Sequence, residues 1–169
     1  QLRDERDCYF PNQAGTVEAW FKADWAKAKG NELTIFQGHQ GYVACERHDG
    51  QKTIVGVTWN RSSKRLVMEL KDRNYRVFKF KSDKIDLPAN AWFHFAAVWQ
   101  PGGTAKVFID GKKALEGSLK DFVPIDITDK KVKYPNEQGA HELYIGCNWP
   151  GSRGASSMGT VTGSPLVGF

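Results

Sequence analysis

The feature that most limits what this chain can fold into is a period of two. From Thr16 to Lys22, Val17, Ala19 and Phe21 alternate with Glu18, Trp20 and Lys22. Successive side chains of a strand point to opposite faces, so such a run closes one face on a core and leaves the other to water. Similar short runs follow at Glu32 to Gln37, Tyr42 to Arg47, Thr53 to Trp59, Arg65 to Leu70, Tyr75 to Phe80, Ala105 to Ile109 and Glu142 to Cys147. None carries a helical period. Trp92 to Gln100 is the longest apolar run and predicts a central strand buried on both faces. Turn signals punctuate the runs: Gly38-His39-Gln40-Gly41, Asp49-Gly50, Leu87 to Asn90, Pro101-Gly102-Gly103 and Asp110-Gly111. Lys120 to Gln138 reads as a polar surface excursion, and Asn148 to Pro165, rich in Gly, Ser and Thr, as loop. About ten strands with hairpin connections and no helix predict an all-β fold, a two-sheet antiparallel β-sandwich.

Such a sandwich needs a core, and composition supplies one. Of 169 residues, 40% are hydrophobic and 12% aromatic, enough for one domain without a metal or a disulfide framework. No apolar run reaches the ~18 residues of a membrane-spanning helix. Because the chain begins at Gln1 rather than Met, the expectation is a processed or excised piece whose targeting signal is gone. Three cysteines, Cys8, Cys45 and Cys147, allow at most one bridge. No C-x-x-C pair occurs, which removes support for zinc ribbons, thioredoxin-like redox sites and c-type haem attachment.

Charge is concentrated in one place. The net charge is +5, but residues 61–85 alone hold nine basic side chains against three acidic ones, leaving the remaining 144 residues at −1. Within that segment the period puts Leu66, Met68 and Leu70 on one face and Arg65, Val67, Glu69 and Lys71 on the other. On the next strand Phe78 and Phe80 oppose Lys79 and Lys81. A ladder of Arg65, Lys71, Lys79 and Lys81 suits an acidic, sulfated or carboxylated polysaccharide through charge-assisted hydrogen bonds. Outward lysines also serve plainly as a solvated sheet face that discourages edge pairing. No nucleic-acid-binding motif accompanies the charge, so nucleic acid is not the expected partner.

Tryptophans are the second candidate set. Trp25, in Ala23-Asp24-Trp25-Ala26, and Trp149, in Cys147-Asn148-Trp149-Pro150-Gly151, lie in loops where alternation does not demand burial. Each is a candidate for stacking on the apolar face of a sugar, beside its ordinary role of packing on the sandwich rim. Trp20, Trp59, Trp92 and Trp99 lie on strands and are expected in the core.

Four segments then come together: Gly15-Thr-Val-Glu-Ala-Trp-Phe-Lys22, Ala91-Trp-Phe-His-Phe-Ala-Ala-Val-Trp99, Lys106-Val-Phe-Ile-Asp-Gly-Lys112 and Leu143-Tyr-Ile-Gly146. In order and spacing the chain resembles laminin G-like domains of the concanavalin A-like lectin/glucanase superfamily, over about residues 9–169. The resemblance implies a jelly roll of two packed sheets, one of them concave, and a single domain over residues 1–169. In that family a closing strand follows the Leu-Tyr-Ile-Gly motif, whereas this chain stops at Gly168-Phe169. The expectation is a domain cut from a longer chain and lacking its closing strand.

The chemistry known on related sandwiches is not matched. The Glu-x-Asp-x-x-Glu strand of the glycosidase branch is absent, and no obvious carboxyl pair offers the ~5–5.5 Å separation that retaining chemistry needs. Glu18 stands alone on its strand, as solvent-facing glutamates do. Gln37-Gly38-His39 superficially fits the Gln-x-His strand of lyases, but falls at a strand end and turn. His94 lies in the apolar run and is expected as a core histidine. His39, Cys45 and His48 match no zinc spacing. Calcium is implied by the resemblance alone, and the loop acids Asp49, Asp110 and Asp126 are the candidates, with no ligand set assigned. The expected function is a non-catalytic binding or adhesion module of a larger extracytoplasmic protein, secreted, periplasmic or at the cell surface. Its expected partner is a glycan or a protein. The alternatives are a structural domain packing on its parent protein, and a glycosidase or lyase with an unfamiliar residue pattern.

Overall fold

The computed structural model describes residues 13–25, 30–39, 53–74, 76–124 and 142–146. Nine strands lie among them: β1 (Gly15–Lys22), β2 (Glu32–His39), β3 (Thr53–Asn60), β4 (Arg65–Lys71), β5 (Val77–Lys84), β6 (Trp92–Trp99), β7 (Thr104–Ile109), β8 (Lys112–Ser118) and β9 (Glu142–Ile145). They form two antiparallel sheets, a four-stranded one in the order β1-β6-β7-β8 and a five-stranded one in the order β5-β4-β3-β2-β9. The all-β sandwich expected from the period of two is the observed architecture. The segment from Tyr42 to Arg47 and the three cysteines lie outside the described residues.

Local sequence explains the connections. Asp110 and Gly111, with φ of 49° and 74°, make the two-residue turn between β7 and β8, because both residue types tolerate the left-handed region that matches strand twist. Between β3 and β4, Asn60 Oδ1 accepts from the Ser63 amide and the Ser62 and Ser63 hydroxyls, each at 2.9 Å. Lys64, at φ 55°, completes that turn. Where periodicity places a strand from Tyr75 to Phe80, β5 runs instead from Val77 to Lys84. Its start is set by Asp72, whose carboxylate ties down the preceding turn.

The core lies between the sheets, formed by Leu33, Phe36, Val57, Leu66, Met68 and Leu70 from one and Phe93, Phe95, Ala97, Trp99 and Val107 from the other. Phe36 reaches across to stack on Trp99 at 6.3 Å and to tilt against Phe95 at 5.9 Å. Full burial of such rings, at about 25 cal/mol per Å² of apolar surface, is the main favourable term holding the layers together. At the side where β5 meets β8 the approach is close. A Cβ added at Gly117 would collide with the ring of Phe80, so only glycine lets β8 pack there. Strand β6 is buried on one face only: Phe93, Phe95, Ala97 and Trp99 point inward, while Trp92 is exposed and His94, Ala96 and Val98 are half-buried. This corrects the expectation of a strand buried on both faces. The outer surface of its sheet has no covering layer among the described residues.

Candidate functional site

The basic ladder expected from the sequence is assembled by the pairing of β4 with β5. In register, Glu69 faces Lys79, Val67 faces Lys81, Lys71 faces Val77 and Arg65 faces Lys84. With Leu66, Met68 and Leu70 fully buried, parity places Arg65, Lys71, Lys79 and Lys81 together on the outer face of the five-stranded sheet. Lys79 and Arg65 also bond within the sheet. Lys79 Nζ lies 3.1 Å from Glu69 Oε2, and Arg65 Nη1 donates to the Ser82 carbonyl at 2.7 Å. Both still have donors to offer, since an ammonium carries three and a guanidinium five. The outer face therefore keeps a positive excess, with Lys84 adding to it at the same edge.

Other cations of the 61–85 segment have structural work that the sequence did not reveal. Asp72, 1% exposed, accepts from the Asn74 and Arg76 amides at 2.9 Å and from Arg76 Nε at 2.8 Å. Burial by itself pushes the Asp72 carboxyl up, but the Arg76 guanidinium, the two amides and the Arg76 charge outweigh it and hold the group below its ordinary 3.8. Arg76 also donates to the Asp121 carbonyl and lies 5.5 Å over the Phe78 ring. Arg61 donates to the Trp25 carbonyl at 3.0 Å, and Lys64 pairs with Asp86 at 2.6 Å. The excess of charge in this segment is thus partly a set of clamps on turns and only partly a surface.

The tryptophans sort differently from expectation. Trp25, nominated as a stacking ring, is 5% exposed. It packs 5.0 Å from Trp59 and 6.2 Å from Phe93, and donates its indole N–H to the Pro88 carbonyl at 2.9 Å. The chain after β1 folds back over the core, so this ring closes the sandwich and is shielded from solvent. Trp149, the other nominated ring, lies outside the described residues. Trp59 and Trp99 are core, as expected, but Trp20 and Trp92 are 57% and 58% exposed. Both stand on the outer face of the four-stranded sheet, where Trp20 pairs with His94 and Lys22 with Trp92. The signal was available: Trp20 shares the parity of Glu18 and Lys22. His94 is not a core histidine either. Its ring lies 5.1 Å from Trp20 and its Nε2 is 2.8 Å from Glu18 Oε1.

His39, expected in a turn, is the last residue of β2 and pairs with Thr53 and Glu142. Among the described residues no three histidine, cysteine or acidic side chains gather to hold an ion. Asp110 uses Oδ1 to accept the His94 amide at 2.8 Å, which is the work of a turn. Asp49 and Asp126, the other acids considered for calcium, lie outside the described residues. Among the described residues no helix is long and apolar enough to cross a membrane.

Comparison with solved structures finds folds that align over part of the chain. The botulinum neurotoxin serotype G binding domain matches at 16% identity and a TM-score of 0.47, covering 67% of this chain and 26% of that one. The receptor-binding domain of the mosaic serotype C/D matches at 18% and 0.49, covering 68% and 26%. The serotype D ligand-binding domain, solved in complex with N-acetylneuraminic acid, matches at 18% and 0.48, covering 68% and 27%. The chain spans about a quarter of the length of these structures. No curated protein sequence matches it. The sequence profile Laminin_G_3, described as the concanavalin A-like lectin/glucanases superfamily, matches residues 2–157. With that match over most of its length and the two-sheet sandwich on which it falls, the chain belongs to the laminin G-like family of the concanavalin A-like lectin/glucanase superfamily.

Proposed function

We propose that the chain is a non-catalytic binding module of an extracytoplasmic protein, and that it recognises acidic glycans through the outer face of β4 and β5. The observation that carries this reading is the register of that pair, which gathers Arg65, Lys71, Lys79 and Lys81 on one face with Glu69 as their cross-strand carboxylate. An exposed pair such as Lys79 and Glu69 contributes little by itself, about 0–1 kcal/mol, so a sulfate or carboxylate can take over the lysine at low cost. The face has the repeat of a sheet, suited to a linear chain bearing a charge at intervals.

The test is binding to a sulfated polysaccharide and to its desulfated form at two ionic strengths. Screening shortens from ~14 Å at 0.05 M salt to ~4 Å at 0.5 M, so affinity for the sulfated chain should fall by about tenfold or more. The double variant Lys79→Glu, Lys81→Glu should abolish binding while the chain stays folded, its unfolding midpoint lowered slightly because Glu69 then faces a second carboxylate. Salt-insensitive binding, or binding that survives the charge reversal, would remove the basic face from the function. Cleavage of the polysaccharide would overturn the non-catalytic reading.

A further inference from the structure

The turn between β3 and β4 carries a pattern that neither the alternation nor the charge accounts for. Among the asparagines of the chain, Asn60 alone is followed two residues on by a serine or threonine, in Asn60-Arg61-Ser62. Asn-x-Ser is the acceptor pattern for N-linked glycosylation, which takes place on surface turns and loops. The fold puts it on such a turn. Asn60 ends β3, half-buried, and the residues that follow leave Ser62, Ser63 and Lys64 exposed. Val55, Val57 and Trp59 fill the inner face of β3, so parity sends the Asn60 side chain to the outer face. Its cross-strand neighbours there are Glu32 on β2 and Arg65 on β4, both charged. A substituent carried by Asn60 therefore meets charged groups and water, and no part of the core.

Local bonds hold the three residues in different ways. Asn60 Oδ1 accepts from the Ser62 hydroxyl, the Ser63 amide and the Ser63 hydroxyl, each at 2.9 Å. Arg61, the middle residue, binds back toward the body of the sandwich. Its amide donates to the Asn31 carbonyl at 2.7 Å and its guanidinium to the Trp25 carbonyl at 3.0 Å. The middle of the pattern is thus anchored, while the amide and the hydroxyl on either side of it stand at the tip of the hairpin. We infer that Asn60 is an acceptor site for an N-linked glycan. The inference rests on the extracytoplasmic reading above, because this modification belongs to secreted chains. The donor is an oligosaccharide joined through a diphosphate to a lipid. A bond forms between Asn60 Nδ2 and the anomeric carbon of the oligosaccharide, and the bond from that carbon to the phosphate oxygen breaks. The lipid diphosphate leaves with the electron pair, and Nδ2 gives up one of its two protons. With Oδ1 engaged by the turn, Nδ2 is the end of the amide that reacts.

The experiment is secretion of the whole chain from a eukaryotic cell behind a cleavable signal peptide, with intact-mass and peptide mass spectrometry before and after treatment with peptide N-glycosidase. The expected result is one glycan, on Asn60, released by the enzyme with an Asn60→Asp change at that position. Ser62→Thr keeps the pattern and should keep the glycan, whereas Ser62→Ala and Asn60→Gln should lose it. Ser63→Ala removes another hydroxyl from the same Oδ1 without touching the pattern, and should leave the glycan in place. That variant separates loss of the acceptor pattern from loss of a bond in the turn. A secreted, folded chain with Asn60 unmodified overturns the inference, and so does a glycan on Asn60 that survives Ser62→Ala. The outcome is distinct from that of the basic face. An unmodified chain that still binds sulfated polysaccharide removes this site alone, and a glycosylated chain that binds none removes the basic face alone.

Discussion

Trp20 and Trp25 are near neighbours in sequence and sit on opposite sides of the wall of the sandwich. Trp25 fills the space beside Trp59 and Phe93, whereas Trp20 rests on His94 in the open. Truncation should separate them. Trp25→Ala should cost about 3–5 kcal/mol, by lost burial plus a cavity. Trp20→Ala should cost no more than about 1 kcal/mol, as a surface change does. Denaturant unfolding of the two variants checks this, and equal losses would contradict the placement. Asp72 is the other residue on which much rests. Its carboxylate satisfies two amides and the Arg76 guanidinium, so Asp72→Ala should destabilise by roughly 2–3 kcal/mol. Its folded value is depressed, so the stability it adds is fully present above the unfolded value of 3.8 and is lost as pH falls through the lower folded value. An acid titration should show the parent losing stability below about pH 4 more steeply than Asp72→Ala does.

At the scale of the element, the hairpin of β4 and β5 is where charge and fold meet. A register shift between Arg65 and Val67 interrupts the pairing, and the buried Ser82 hydroxyl fills it by accepting the Leu66 amide at 2.9 Å. The turn of the hairpin is pinned to the segment after β8, through the Arg73 amide on the Val123 carbonyl at 2.9 Å and Phe78 against Phe122 at 5.2 Å. The strand pair that presents cations outward is thereby braced at its bulge and at its turn. The contact between β5 and β8 is the tightest part of this arrangement. Gly117→Ala should cost about 1–3 kcal/mol because its methyl overlaps the Phe80 ring, and the loss should appear in the thermal midpoint. Little of this is legible in the sequence. Gly117 looks like any strand glycine, and Ser82 like any polar residue in a charged strand, until the partner strand arrives.

At the scale of the whole molecule, the outer faces of the two sheets lie back to back across a core about 10 Å thick. The alternation seen in Val17, Ala19 and Phe21 against Glu18, Trp20 and Lys22, repeated along the chain, was enough to decide the two-layer fold and most of its strands, but not β8, the bounds of β5 or the open face of β6. Parity is a local property that each strand carries in its own residues. Sequence likewise placed Arg65, Lys71, Lys79 and Lys81 outward, and the Asp110-Gly111 turn where it is found. What it could not decide is which outward residues meet. The fold alone sets β1 beside β6 and so brings Trp20 to His94, His94 to Glu18, and Trp92 into the same patch. The fold also turned the loop that bears Trp25 into the core, and made Arg76 a clamp instead of a surface charge. Those pairings join residues tens of positions apart, and long-range contact is settled by packing, which no single strand contains.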